Sequence, residues 1–146
     1  MSDRGSAPHG ALFDGLPYDY AAVAPGGALL FTAGACPLNA QGQLVGMGDY
    51  VEQARVVLDN LKAVLEQHGA GPDDLVKTTV YVAGDQDDLV MVWGVIAAGL
   101  APHRPPSTLL GVTSLGYAGQ LVEMEGIAAL SDTPGGPSRP SPARLR

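Results

Sequence analysis

The sequence predicts an α+β domain, a mixed β-sheet with two helices packed on one face. Three observations predict it. Two amphipathic stretches of helical period, 49–68 and 87–98, flank an alternating strand, LVKTTVYVA. Strand–helix–strand units require crossover connections, and at the usual hand these place both helices on the same side of the sheet. After the second helix, a short apolar strand and a longer one, joined by a Gly-containing turn, close the ordered part of the chain.

Taken in order, residues 1–10 are polar with Pro8 among them and read as a flexible tail; 11–130 form a single domain; 131–146, dense in Pro, Ser and Gly, read as a second tail. A Pro-Gly-Gly turn at 25–27 predicts a hairpin between 20–23 and 28–33. Asn39 and Gly42 are turn residues ahead of a brief strand near 43–45. Asp49 caps the first helix, Glu52 completes a capping box, Val51, Ala54, Leu58, Leu61 and Leu65 form its stripe, and Gly69 stops it. In the following strand Val76, Thr78, Val80 and Val82 point one way, and Lys77, Thr79 and Tyr81 the other. The second helix buries Leu89, Val92, Trp93 and Ile96. In the last strand Val122, Met124, Ala128 and Leu130 share the core face, while Leu121, Glu123, Glu125 and Ile127 share the other.

With both helices on one face, the other is uncovered. It carries Phe31 or Leu30 with Thr79, Tyr81, Leu121 and Ile127, which is too apolar for a monomer, so a homo-oligomer with sheets facing inward is expected. The chain of 146 residues, 46% apolar, is long enough for one core. A net charge of -7 with no basic cluster before 131 argues against nucleic acid as a partner. The opening lacks the apolar region of a signal peptide, and no later run reaches the ~18 apolar residues of a membrane span, so a cytoplasmic protein is expected. The lone cysteine, Cys36, and the dispersed His9, His68 and His103 give no metal-ligand spacing. Motifs for phosphate, flavin or nicotinamide are lacking.

Chemistry concentrates between His103 and Leu130, where an Arg-Pro-Pro-Ser loop precedes two acids on one strand face. Glu123 and Glu125, two residues apart, lie roughly 7 Å from each other, spacing that suits one carboxylate holding water and one bound to a partner. Arg104 reads either as a ligand clamp or as a solvated loop residue, and Ser107 as a hydrogen-bond donor to a ligand or a strand start. Cys36, in Ala-Cys-Pro-Leu, reads as a buried small hydrophobe rather than a nucleophile, because activation needs a positive neighbour. Trp93 at helical spacing reads as packing before it reads as a stacking platform.

The run QARVVLDNLKAVLEQHGAGPDDLVKTTVYV, the R-P-x-x-T loop and LVEMEGIAAL resemble the Rid (YjgF-like, reactive intermediate deaminase) family over roughly 18–130. The resemblance implies a chorismate-mutase-like fold, a homotrimer, and ligand clefts at the subunit interfaces. It also implies hydrolysis of small enamine or imine metabolites to ketones and ammonia, with no cofactor and no metal. Glu123 matches the family's water-positioning glutamate, and Glu125 its second glutamate. Tyr18 or Tyr20 matches a cleft-lining tyrosine. Gly34 matches the glycine of a Ser-Gly-Gln motif that here reads Ala33-Gly34-Ala35, without the amide, ahead of Cys36. Trp93 stands where Asn is frequent. Ser107 occupies the position of the family arginine that clamps the substrate carboxylate, and Arg104 lies three residues earlier. The chain is thus expected to be a divergent member with Glu123 as catalytic residue, acting on an unusual substrate. A non-catalytic metabolite-binding trimer and an endoribonuclease are the alternatives.

Overall fold

A computed structural model describes residues 26–130 together with 15, 17–19, 21, 22 and 24. Both expected tails lie outside the described residues, as does Tyr20. The elements are β1 (Ala28–Phe31), α1 (Tyr50–Gln67), a 3-10 turn (Pro72–Asp74), β2 (Leu75–Val82), α2 (Gln86–Leu100), β3 (Ser107–Gly111) and β4 (Val122–Leu130). They form a four-stranded sheet in the order β1-β4-β2-β3, with β2 and β3 parallel and the other neighbours antiparallel.

The expected hairpin is not the pairing of β1. Tyr20 and Val23 lie outside the described residues, and Ala21 and Ala22 are not in a strand. Instead β1 finds its partner at the far end of the chain, Phe31 opposite Ile127 and Ala28 opposite Leu130. Residues 43–45 contribute only an isolated bridge, Leu38 to Leu44.

Helix α1 starts where Asp49 accepts from the Glu52 N–H at 3.0 Å. The expected capping box is half formed, because the Asp49 N–H donates to the Gly46 carbonyl and the Glu52 carboxylate turns to Arg55. At the other end Gly69 takes φ +73°, and bonds from Gly69 to Glu66 and from Ala70 to Leu65 close a Schellman turn. The buried stripe is Gln53, Ala54, Val57, Leu58, Leu61 and Leu65, rotated from the expected one so that Val51 stays half-buried. Helix α2 carries the full reciprocal box, between Asp85 and Asp88, and buries Val92, Ile96 and Leu100. Leu89 and Trp93 pack on the core from its margin.

Both helices cover the face formed by Leu30, Val80, Val82, Val122, Met124 and Ala128. A register shift between Leu75 and Lys77 corrects the expected alternation at the start of β2. The shift turns Leu75, not Val76, into the core, where it is 1% exposed. Gly126 makes room for it: a Cβ there would lie 2.7 Å from Leu75 Cδ2. The opposite face displays Phe31 (68% exposed), Leu29 and Leu110 beside Lys77, Thr79, Tyr81, Glu123, Glu125 and Ile127. Phe31 faces this open side, while Leu30 packs on the helices.

Candidate functional site

Glu123 leaves β4 on the open face, opposite Tyr81 of β2. Beyond β1 the chain keeps to the edge of β4, held by the Thr32 N–H on the Gly126 carbonyl and by reciprocal bonds between Ala35 and Met124. This course slides Gly34 beneath the Glu123 carboxylate, so that a Cβ at position 34 would sit 2.5 Å from both Cδ and Oε2. Only a residue without a side chain fits under the acid.

Two donors hold the carboxylate. Cys36 Sγ donates to Oε1 at 3.1 Å, and Gln120 Nε2 donates to the same oxygen at 3.2 Å. Burial first, then the bond to Glu123 and its charge, push the Cys36 thiol up to about 11. At neutral pH the thiol therefore stays protonated and acts as a donor, not a nucleophile. Its environment is not simply apolar, as Ala-Cys-Pro-Leu suggested, because a carboxylate stands next to it.

Gln120 is 4% exposed. Its amide also donates to the Val122 carbonyl at 3.2 Å and accepts from the Tyr117 N–H at 3.2 Å. Gln53 of α1, fully buried, fixes the backbone on either side: Nε2 donates to the Gly119 and Gly46 carbonyls at 3.0 Å, and Oε1 accepts from the Leu121 N–H at 2.7 Å. Replacing Gln53 by Leu leaves an N–H and two carbonyls without partners in a closed space, so urea unfolding should register a loss of about 3 kcal/mol. A change below about 0.5 kcal/mol, the range of ordinary surface substitutions, would remove Gln53 from this role.

Glu125, the second acid, accepts from the Tyr81 hydroxyl at 2.5 Å, and that bond is the main cause of the raised Tyr81 pKa. Beside it lies a depression of about 170 Å3 lined by Phe31, Thr32, Lys77, Thr79, Glu125, Gly126 and Ile127. A larger groove of about 690 Å3 runs between α1 and α2 on the far side of the helices, lined by Arg55, Leu58, Met91 and Gly94 among others.

The structure sorts the sequence-predicted residues into two groups. Gly34, Cys36 and Glu123 converge on the open face. Tyr18 and Trp93 meet each other on the helix side, rings edge to face at 6.0 Å and 84°. Arg104 is exposed on the loop before β3, its carbonyl accepting from the Asp19 N–H at 3.0 Å. Ser107 is not next to Glu123 within one chain. It pairs with Thr78 in register, and its hydroxyl is bonded to Thr78 Oγ1 and to the Pro105 carbonyl. Gln120 and Gln53 escaped the sequence reading. The available signal was the buried-stripe position of Gln53 and the place of Gln120 at the last turn before an acid-bearing strand.

The described residues contain no cluster of three or more potential metal ligands, and none of their helices is long and apolar enough to cross a membrane. The chain matches the Endoribonuclease L-PSP family over residues 16–130. A RutC family protein of Pyrococcus abyssi is 34% identical over 102 residues, covering 70% of this chain and 79% of the relative. The 2-iminobutanoate/2-iminopropanoate deaminase of Escherichia coli is 38% identical over 78 residues, 53% of this chain and 59% of that enzyme. The crystal structure of the Rid-family protein YyfB of Yersinia pestis superposes with a TM-score of 0.78 at 32% identity, covering 84% of this chain and 95% of that one. A mixed sheet carrying two helices on one face and a family match across almost all of the described residues agree: the chain belongs to the Endoribonuclease L-PSP (YjgF/Rid) family.

Proposed function

We propose that this chain forms a cytoplasmic homotrimer whose intersubunit clefts hydrolyse a small enamine or imine without cofactor or metal. One observation carries the reading: a carboxylate, Glu123, is held at one oxygen by Gln120 and Cys36 on an open sheet face, above a glycine. That is the arrangement of a base that positions water. The deaminase named for the Escherichia coli relative supplies the substrate class. In the cleft, the Glu123 group of one copy faces the β3 side of a neighbour, where Arg104 and Ser107 lie and Tyr18 meets Trp93.

Water bound to Glu123 gives a proton to the carboxylate as its oxygen bonds to the C=N carbon. The π pair moves to nitrogen, which takes the proton back and leaves a carbinolamine. Glu123 then accepts the hydroxyl proton and returns it to nitrogen as the C–N bond breaks, releasing ammonia and a carbonyl compound. The carboxylate ends as it began, so no other reagent is needed.

Ser107 cannot clamp a carboxylate as a guanidinium does, since its single hydroxyl is already bonded to Thr78 and the Pro105 carbonyl. The preferred substrate is accordingly one other than a simple 2-imino acid. A panel of imines generated in situ, 2-iminopropanoate and 2-iminobutanoate among them, tests this by release of carbonyl product above the spontaneous rate. No acceleration with any imine would sink the enzyme reading. The same committed Ser107 favours, as a second reading, a trimer that binds a metabolite without turning it over, which calorimetry against a metabolite panel decides. RNA cleavage is a weaker third, opposed by the net charge of -7.

Gly34→Ala disturbs the seat of the acid directly. The inserted methyl must push aside a Glu123 carboxylate that Gln120 and Cys36 hold, so thermal melting should fall modestly as those bonds are lost while the fold is kept. The displaced carboxylate should lose turnover on the order of 10²-fold. Equal turnover in the variant would show that the acid need not sit over residue 34.

A further inference from the structure

We propose that Gln120 is a positioning residue for Glu123: with the Cys36 thiol it occupies Oε1 of the carboxylate and reserves Oε2 for the ligand or the attacking water. This rests on the imine-hydrolase reading and assigns the two carboxylate oxygens separate tasks within it.

The convergence is the first argument. A carboxylate has room for about four acceptor interactions shared between its oxygens, yet both protein donors go to one of them. Among the described residues no buried side-chain oxygen lacks a partner, and none of them donates to Oε2, so Oε2 is not fully buried. Because the group is planar, fixing Oε1 while Cδ rests on Gly34 confines Oε2 to one position. A glutamate on a sheet surface otherwise samples several staggered rotamers.

The rigidity of the donor is the second argument. A side-chain amide has two N–H hydrogens and one carbonyl. Those of Gln120 are spent on Glu123, on the Val122 carbonyl and on the Tyr117 N–H. Gln53 holds the residues before and after it. Cys36, kept protonated to about 11, supplies its hydrogen throughout the neutral range. The Ala33-Gly34-Ala35 segment brings no amide to the site, and Gln120 brings one from the other side of the acid.

Steady-state kinetics of the full chain with an imine that the wild type hydrolyses provide the test. Gln120→Leu should lower kcat by about 10- to 100-fold with KM within about twofold, since orientation of the water and not substrate binding is lost. Cys36→Ala should lose less, and Cys36→Ser, which keeps a donor, should recover most of that loss. Unchanged kcat in a Gln120→Leu protein that melts like the wild type would overturn the proposal. If Gln120→Leu does not fold, Gln120→Asn serves, its amide one methylene too short to reach Glu123, and the same outcomes apply.

NMR of the Gln120 side-chain amide reads the clamp without turnover. The Nε2 proton donated to the Glu123 carboxylate should resonate downfield, and Glu123→Gln, which leaves a neutral acceptor, should move it upfield. Should the wild type hydrolyse no imine, the hydrolase reading falls and this signal alone decides the clamp. A Gln120 amide resonance that is the same in the wild type and in Glu123→Gln overturns it.

Discussion

Replacing Glu123 by Gln should lower kcat for imine hydrolysis by about 10²- to 10⁴-fold while leaving KM nearly unchanged, the range expected when a positioned general base is lost. The new amide has the shape of the acid. Its carbonyl can still accept from Gln120 and Cys36, so the fold and the seat over Gly34 are kept. What disappears is the capacity to take a proton from water. The single thiol of the chain monitors the substitution independently. Burial raises the Cys36 pKa most, and the bond to Glu123 and its charge add to it. Removing the charge should therefore bring the value down from about 11 while burial keeps it above the ordinary 9.0. The sign is fixed: a nearby anion opposes thiolate formation, so its loss favours the thiolate. Absorbance of the thiolate at alkaline pH measures this. A variant with the shifted thiol and wild-type kcat would show that Glu123 is not the base; an unshifted thiol would contradict the Cys36 contact itself.

The same acid shows what the sequence could and could not reveal. Its face was legible, because alternation along 122–130 depends only on backbone geometry, and Val122, Met124 and Ala128 are buried as that alternation requires. Its partners were not. Gln120 lies three residues before Glu123, a spacing that in a continuous strand would point the two side chains to opposite faces. The strand begins only at Val122, and Gly119 at φ +78° turns the chain just before it, so the amide folds back onto the acid. Cys36 reaches the site from 87 positions away, through a pairing of β1 with β4 that no local pattern encodes. The Pro-Gly-Gly signal instead suggested a partner immediately upstream.

Helix boundaries were readable within a residue or two, since Asp49 and Asp85 are local caps. The shift at Leu75 was not, because it is stabilised by a vacancy over Gly126 on another strand. Ser107 is a further case. The resemblance led to the expectation that Ser107 stands in place of a family arginine, but only the register with Thr78 shows that the hydroxyl is already committed.

Phe31→Asp should dissociate the trimer proposed above. Phe31 is 68% exposed on the uncovered face, opposite Ile127 and near Leu29, which is itself 44% exposed. A Phe side chain so displayed costs nothing in a monomer but repels water over an area whose burial is worth roughly 2 kcal/mol. The symmetry of a trimer repeats each substitution in every copy, so about 6 kcal/mol of assembly free energy is lost, or ~10⁴-fold in the association constant. A carboxylate added to the contact face of every copy opposes assembly further. Light scattering coupled to size exclusion should show monomer for Phe31→Asp at concentrations where the wild type is trimeric. Val90→Asp is the control: Val90 is 63% exposed but on α2, in the layer away from the open face, and its substitution should leave the oligomer intact. If instead Val90→Asp dissociates the protein and Phe31→Asp does not, the helices and not the sheet form the interface. Turnover gives the complementary reading. Within one chain Glu123 and Ser107 do not meet, so a cleft completed by a neighbour predicts that monomeric Phe31→Asp keeps its fold and the Glu123–Cys36 contact, reported by an unchanged thiol titration, yet hydrolyses no imine. Full activity in a monomer would place the whole reaction inside a single subunit, with Glu123, Gly34 and the Gln120 clamp sufficient for it.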